Sequence, residues 1–249
     1  MILNSSGAKI IEDSVKDLKD YHFPILLFFM MIITLFVLSP VDYQWTEHIR
    51  LFNNPFTKFM EQSFYEGERW GGVDLPVTAQ GLAVIAYLIF ELIPGLRKKQ
   101  IKFRLRYLTL CSLTISLTLI HSLKNLIGRA RPYKVAGFEN IHFTQWYQPG
   151  DLLKLGLFGE GSFPSGHTAS AFFLFAFLYA FKDKIQSKAL LYLSTLTIFL
   201  FTILMAFSRV AIGDHWITDT IASVFLSWIG FDILYKKALK PKLNPPFEP

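Results

Sequence analysis

The chain is poor in cysteine and in charge. Its 249 residues include a single cysteine, and only 18% of them are Asp, Glu, Lys or Arg. That cysteine, Cys111, lies inside an apolar run, so neither an intrachain disulfide nor a cysteine-based metal site can form. No internal repeat or low-complexity region is evident, and the apolar runs are too continuous for the alternating pattern of a membrane β-barrel. These features exclude a disulfide scaffold, a repeat protein and a barrel.

What the sequence has in abundance is apolar residues. Hydrophobic residues make up 52% of the chain, 25 of them are phenylalanine, and the mean hydropathy is +0.35. Six apolar segments stand out, at residues 23–39, 75–93, 107–123, 168–181, 189–207 and 217–235. Most of them approach the roughly 20 residues that a helix needs to cross the hydrocarbon layer. We therefore predict an all-α polytopic membrane protein with six transmembrane helices in one bundle.

The net charge of +6 reflects lysines and arginines in short loops. They form no basic stripe with interleaved aromatics, which argues against a nucleic-acid partner. The densest cluster, at 97–106, lies next to a predicted span and therefore places that side in the cytoplasm. We predict a cytoplasmic segment at 1–22, a membrane domain at 23–235 and a cytoplasmic tail at 236–249.

Three polar clusters lie at the edges of apolar segments on the opposite face. They read KNLIGRARP, FPSGH and SRVAIGDHWITD. The residues of interest in them are Lys124, Arg131, Pro132, Ser165, Gly166, His167, Ser208, Arg209, His215 and Asp219. Cations bind oxyanions, and a histidine oriented by a carboxylate can act as a nucleophile or proton carrier. The combination indicates phosphate chemistry at a membrane surface.

Spacing within the first and third clusters supports this interpretation. Lys124 and Arg131 are seven residues apart, so they can project from one helix face. His215 and Asp219 are four apart, which predicts one helix face on which the carboxylate holds one imidazole nitrogen and leaves the other free to attack. The alternative for Lys124 is a lysine that extends its ammonium group to the membrane interface.

In the second cluster, Ser165 is a potential helix cap. The free N–H groups of that helix start favour an anion, and Gly166 allows a phosphate oxygen to approach the backbone. The alternative is an ordinary helix cap beside an interfacial histidine.

Five other polar residues are given no chemistry at this point. Arg129, Lys134 and His121 are interpreted as interfacial or packing residues. Asp214 is interpreted as a surface acid after Gly213, with a second role in orienting His215 as the alternative. We expect Asp232 to pair with a nearby cation.

Together the clusters resemble the type 2 phosphatidic acid phosphatase superfamily. Its signature is Lys-x6-Arg-Pro, then Pro-Ser-Gly-His, then Ser-Arg-x5-His-x3-Asp, and every element is present here with unbroken spacing. The resemblance implies that His215 is a nucleophile forming a phosphohistidine, that Asp219 orients it, and that His167 is general acid and then base. It further implies phosphate binding, without metal or cofactor, by Lys124, Arg131, Ser165, Gly166 and Arg209. The two histidines would need opposite protonation states, which predicts a bell-shaped pH profile.

The expected function is hydrolysis of a lipid phosphomonoester or diphosphate at the outer face of a bacterial-type inner membrane. Candidate substrates, by the resemblance, are undecaprenyl diphosphate, lipid A, phosphatidic acid and phosphatidylglycerol phosphate. A lipid-to-lipid phosphotransferase is the nearest alternative, and a non-catalytic lipid-binding membrane protein is another. We expect specificity to lie in loop 133–163 and in the aromatic first loop, 40–74, although an interfacial aromatic belt without a substrate role is the favoured interpretation of the latter.

Overall fold

The computed structural model describes residues 5–50, 55–64, 75–96, 100–137, 141–150 and 161–243, and the regular structure in these ranges is helical. The first six α-helices are α1 (Ser5–Leu38), α2 (Asp42–Arg50), α3 (Pro55–Phe64), α4 (Leu75–Leu92), α5 (Gln100–Leu113) and α6 (Lys124–Ile127). The others are α7 (Pro132–Gly137), α8 (Gly166–Phe172), α9 (Leu174–Phe181), α10 (Lys188–Ala211), α11 (Ile217–Leu234) and α12 (Lys240–Leu243). Two π-helical stretches, Thr114–Leu123 and Tyr235–Leu239, join α5 to α6 and α11 to α12.

Helix α1 shows why the bundle belongs in a membrane. Its inward face is buried and consists of Leu27, Met31 and Leu35, spaced four residues apart. Its outward face is exposed and includes Phe29, Ile33 and Val37. Large apolar side chains exposed in such a continuous band would be unfavourable in water, whereas lipid solvates them at no cost.

Three described helices are long and apolar enough to cross a membrane by length and composition. They are Tyr21–Leu38, Lys188–Ala211 and Ile217–Leu243, and Val77–Leu92 is a shorter apolar helix. The predicted third and fourth segments also form helices, but the fourth is divided into α8 and α9 at Phe173. The all-helical prediction is therefore confirmed, while six spans stay a prediction. The last helical run continues to Leu243, so no break marks the predicted domain limit at residue 235.

Helix α11 lies at the centre of the bundle, where it packs against α1, α5 and α8. The largest cluster of buried residues joins Tyr107 and Leu108 of α5 to Phe172 of α8 and Phe231 of α11. The hydroxyl of Tyr107 donates to the carbonyl of Phe231 at 3.1 Å, which satisfies the one polar atom of this side chain. This contact joins α5 to α11, the helix whose first turn carries Asp219.

Ion pairs lie at the end of the bundle that carries the predicted cytoplasmic residues. Buried Arg104 forms two hydrogen bonds of 2.6 Å to the carboxylate of Asp183. Asp232 pairs with Lys236 at 2.6 Å, which confirms the expected cation partner of this carboxylate. Part of the predicted basic cluster, residues 97–99, lies outside the described residues.

The described parts of the predicted first loop, 40–50 and 55–64, are largely helical, since they contain α2 and α3. Helix α2 packs against α10 and α11, so it covers the end of the bundle where the three polar clusters lie. Asp42 and Thr46 of this helix are buried, whereas Trp45 is exposed. The first loop therefore combines an aromatic outer surface with an inner surface that contacts the site.

Candidate active site

The three polar clusters come together at one end of the bundle. The backbone N–H of Ser165 donates to the carbonyl of Asp219 at 3.2 Å, and the N–H of Tyr133 donates to the carbonyl of Gly213 at 3.0 Å. A third link joins the imidazole of His215 to the carbonyl of Ser162 at 2.8 Å. Segments far apart in sequence thus form a single site, as the predicted topology requires.

Two glycines allow the first and second clusters to meet. Gly128 ends α6 in the left-handed region, with φ of 60°, and its N–H donates to the carbonyl of Lys124. A side chain at Gly161 would place its Cβ only 2.6 Å from that same carbonyl. The close backbone approach therefore requires glycine at 161, and it brings the segment leading to Ser165 against the turn after Lys124.

Arg131 and Arg209 share one carboxylate. Asp214 Oδ1 lies 3.3 Å from Arg131 Nη1, and Asp214 Oδ2 pairs with Arg209 Nη2. Gly213, with φ of 86°, provides the turn that places Asp214 between the two arginines. The interpretation of Asp214 as a surface acid is therefore wrong. It holds both arginines in position and does not contact His215 through any hydrogen bond that the described residues show.

Ser165 caps α8, as the sequence predicts. Its hydroxyl accepts from the backbone N–H of Thr168 at 3.3 Å and shares a second hydrogen bond with the Thr168 hydroxyl at 2.9 Å. The cap fixes the first turn of α8, which carries Gly166 and His167. Phosphate binding by Ser165 and Gly166 stays a prediction.

His215 is completely buried, and its two ring nitrogens have different environments. Nδ1 lies 2.8 Å from the carbonyl oxygen of Ser162. Because a carbonyl only accepts, Nδ1 must carry the hydrogen, and in the neutral ring the lone pair is then on Nε2. Nε2 has no hydrogen-bond partner among the described residues. The ring is therefore held in the tautomer that a nucleophile needs.

The relation of His215 to Asp219 differs from the prediction. Helix α11 begins at Ile217, so His215 precedes the helix and does not share a helix face with Asp219. Asp219 Oδ2 lies 3.7 Å from His215 Nδ1 and instead accepts from the backbone N–H of Trp216 at 2.9 Å. This is the usual role of an acidic residue in the first turn, which satisfies an unpaired N–H of the helix start. The carbonyl of Ser162 is consequently the atom that orients the imidazole.

Arg129 is the main functional candidate that sequence reasoning missed. It is fully buried, and its Nη1 donates to Asp219 Oδ1 at 2.6 Å while its Nη2 donates to Asp42 Oδ2 at 2.8 Å. The guanidinium also lies beside the paired rings of Phe143 and Trp216, 5.2 and 5.3 Å from their centroids. The assignment of Arg129 to interfacial or packing residues is therefore wrong, because two buried carboxylates bind it.

Asp42 was missed as well. It is fully buried on α2, and it accepts from the backbone N–H and the hydroxyl of Thr218 at 3.2 and 2.6 Å. The available signal was a lone carboxylate directly after the first apolar segment, and a single acidic residue there is equally typical of a solvated helix start. The sequence offered nothing that connects it with the distant third cluster.

The surroundings of the two histidines disfavour the protonated, cationic form of each imidazole. Burial lowers the pKa of His215 well below its usual value, and the charges of Lys124, Arg131 and Arg209 lower it further. The pKa of His167 is lowered by burial first and then by Arg209, His215, Lys124 and Arg131. The same three cations act on both rings, and an anion bound among them would offset their charge.

These shifts predict how stability depends on pH. The unfolded chain binds protons at its histidines below about pH 6.5, whereas the folded protein does not, so stability should fall as the pH decreases from that value. The slope should approach about 1.4 kcal/mol per pH unit for each histidine. Thermal unfolding in detergent between pH 8 and 5 measures this dependence of stability on pH. Saturating inorganic phosphate should make the dependence less steep. A His167→Asn/His215→Asn double variant with the same slope would contradict the assignment.

No group of three or more His, Cys, Asp or Glu side chains suited to a metal ion occurs within the ranges that the structure describes. The charged and titratable groups gathered here are instead the three cations, the two imidazoles and the carboxylate of Asp214, which pairs with Arg131 and Arg209. Such a site can bind a phosphoryl group, supply a nitrogen nucleophile and move a proton.

The fold and the geometry of the site therefore define a helical membrane protein in which lysine and arginine side chains accompany two histidines. The sequence model of the PAP2 superfamily matches residues 105–241, more than half of the chain. The chain belongs to the PAP2 superfamily, and this family together with the long apolar helices supports an integral-membrane phosphatase.

The chain was also compared with solved structures and with curated proteins. The chain is similar to a solved structure described as the first transmembrane PAP2 type phosphatidylglycerolphosphate phosphatase from Bacillus subtilis. The two share 16% identity over 85% of this chain and 93% of that one, with a TM-score of 0.49. A search of curated proteins gave no match.

Proposed function

We propose that this protein hydrolyses a lipid phosphomonoester or diphosphate through a phosphohistidine at His215. The observation that carries the proposal is the state of that ring: Nδ1 is fixed by the carbonyl of Ser162, and Nε2 is buried without a partner among the described residues. A neutral imidazole whose Nε2 lone pair is not used in a hydrogen bond can attack the phosphorus of a bound substrate.

In the first step a bond forms between His215 Nε2 and phosphorus, and the bond from phosphorus to the leaving oxygen breaks. His167 donates a proton to that oxygen and then accepts one from the water that attacks the phosphohistidine. Lys124, Arg131 and Arg209 bind the non-bridging oxygens, joined by Ser165 and the N–H of Gly166. Burial lowers the pKa of His167, and Arg209, Lys124 and Arg131 lower it further. The negative charge of a bound phosphate offsets these cations and so favours the protonated ring.

An apolar groove beside the site supports a lipid as the substrate. Its volume is about 440 Å³, and its lining includes Met31, Ile32, Leu35, Leu123, Ile127 and Phe163. Leu123 directly precedes Lys124, and Phe163 lies two residues before Ser165, so one end of the groove adjoins the phosphate-binding residues. Hydrocarbon chains would occupy the groove while the phosphate binds the cations.

The orientation follows from charge. The short segment at 97–106 is rich in cations, which favours a cytoplasmic location for it and for both chain termini. The site lies at the other end of the predicted bundle and would then face the periplasm of a bacterial inner membrane. Undecaprenyl diphosphate, lipid A, phosphatidic acid and phosphatidylglycerol phosphate are the candidate substrates by family resemblance.

Phosphate release by the purified protein from each of these four lipids in detergent tests the proposal. Release from at least one of them is expected. Transfer of the phosphoryl group to a second lipid without release of inorganic phosphate would identify a phosphotransferase, and the absence of both reactions would refute an enzymatic function.

We predict that turnover is insensitive to excess EDTA and inhibited by orthovanadate. Three cations can neutralise the phosphate without a metal, and vanadate can occupy the trigonal bipyramid between the two imidazoles. Loss of activity on chelation, followed by recovery with Mg²⁺, would instead indicate a metal-dependent mechanism.

We also predict that Ile32→Trp impairs hydrolysis of a long-chain lipid phosphate but not of a soluble aryl phosphate. The indole would fill part of the groove, and kcat/KM for the lipid should fall by at least about tenfold. Ile33→Trp is the matched control, because Ile33 is 63% exposed on the outward face of the same helix. Equal effects of the two variants, or equal losses with both substrates, would refute the lipid groove.

A further inference from the structure

A chain of three buried charges leads from the first loop to the nucleophile. Asp42 of α2 pairs with Arg129 at 2.8 Å, and Arg129 pairs with Asp219 at 2.6 Å, with all three side chains fully buried. The hydroxyl of Thr218 donates to Asp42 Oδ2 and accepts from Arg129 Nη1. Asp219 then reaches to within 3.7 Å of His215 Nδ1.

The charge balance of this chain is unequal. Two carboxylates and one guanidinium leave one net negative charge, and it lies on the Nδ1 side of His215, away from Nε2. If Asp42 were absent, Arg129 would neutralise Asp219 completely. The first loop thus preserves a negative charge behind the imidazole, although Asp42 does not contact the ring through any bond recorded in the described residues.

The negative charge matters at one stage of the reaction. When Nε2 bonds to phosphorus the imidazole becomes cationic, and three nearby cations oppose this. The negative charge of Asp219 on the Nδ1 side of the ring offsets the repulsion from these cations only if Arg129 does not neutralise that carboxylate. The energetic benefit therefore appears on formation of the bond to phosphorus and not on binding of the phosphate.

We propose that Asp42 and Arg129 are positioning residues whose buried charge chain keeps Asp219 effective in stabilising the cationic His215 of the phosphoenzyme. The inference rests on the proposed function and extends it to two residues that do not touch the substrate. It assigns the first loop a part in catalysis, in addition to its aromatic surface.

The test compares two inhibitors of the Asp42→Asn variant. Orthovanadate bonds to the histidine nitrogen and so needs the cationic ring, whereas inorganic phosphate binds to the cations without that bond. We expect kcat and vanadate affinity to fall by at least about tenfold, with KM and the inhibition constant of phosphate within about twofold of wild type. A substitution that only distorted the site would lower the affinity for both inhibitors by similar factors.

Asp183→Asn is the matched control. It removes the carboxylate that pairs with buried Arg104 at the opposite end of the bundle, and it should leave kcat and both inhibition constants unchanged. A similar loss of vanadate affinity in Asp183→Asn would show that breaking an ion pair far from the site has this effect, and it would overturn the inference.

If Asp42→Asn fails to purify in folded form, Thr218→Val replaces it. This variant keeps all three charges and removes the bridging hydroxyl, so the ratio of the vanadate and phosphate constants should stay as in wild type. A changed ratio would refute the explanation that the charges of Asp42 and Arg129 keep Asp219 effective. If the wild-type protein shows no turnover, the proposed function is refuted. If the wild-type protein is active and the Asp42→Asn variant has the same kcat, only the inference is refuted.

Discussion

His215→Ala should lower kcat/KM by at least about 10³-fold, because Nε2 of this ring is the atom that attacks phosphorus in the proposed mechanism. The proposed mechanism gives His167, the other histidine of the site, the transfer of protons to and from the leaving group and water, so it would not replace the missing nucleophile. The loss should be seen in kcat, since the proposed phosphate ligands Lys124, Arg131 and Arg209 are retained. Rates with a lipid phosphate and a soluble aryl phosphate measure it.

The matched control for this variant is His142→Ala, which removes an exposed histidine outside the proposed machinery. It should retain the wild-type rate. A His215→Ala protein that melts cooperatively and still turns over at more than about a hundredth of the wild-type rate would exclude His215 as the nucleophile. Asp219→Asn should also reduce the rate, by a smaller factor.

The largest effect on stability is expected for Arg129→Leu. This change leaves Asp42 and Asp219 buried without their cation, and removing one partner of a buried ion pair typically costs about 3–5 kcal/mol. The leucine also loses the contact of the guanidinium with the rings of Phe143 and Trp216. The free energy of unfolding, measured by denaturant titration in detergent micelles, should fall by that amount.

Arg131→Leu, two residues away, is the control for this experiment. Arg131 is partly exposed and pairs with Asp214 at 3.3 Å, so its loss should cost no more than about 1 kcal/mol. It should instead impair phosphate binding. Equal destabilisation by the two substitutions would mean that the buried charge chain does not contribute to stability as described.

Arg129 and Arg131 also illustrate the limit of sequence reasoning. Both lie in the string GRARP, and motif spacing selected Arg131 as a phosphate ligand while leaving Arg129 among packing residues. Residue type and position are nearly the same for both. The difference arises because the turn after Gly128 directs one guanidinium into the bundle, where Asp42 and Asp219 meet it, and the other toward Arg209 and Asp214.

His215 and Asp219 illustrate a different limit. The interval of four residues predicted a shared helix face, but the helix starts between them. The spacing was nevertheless informative, because a carboxylate at the third position of a helix can both cap its start and remain close to a residue just before it. The carbonyl of Ser162, which orients the ring, could not be anticipated, since backbone atoms leave no signature in a sequence.

The sequence by itself determined the helical membrane class, the family and the membership of the three polar clusters. Each of these depends on local properties: continuous apolar runs, charge next to those runs, and short motifs of fixed spacing. The tertiary structure decided which nitrogen of His215 is available, how Asp214 holds two arginines, and that Asp42 of the first loop reaches the site. These depend on contacts between segments distant in the chain, and such contacts are set by how α2, α8 and α11 pack, which no local pattern encodes.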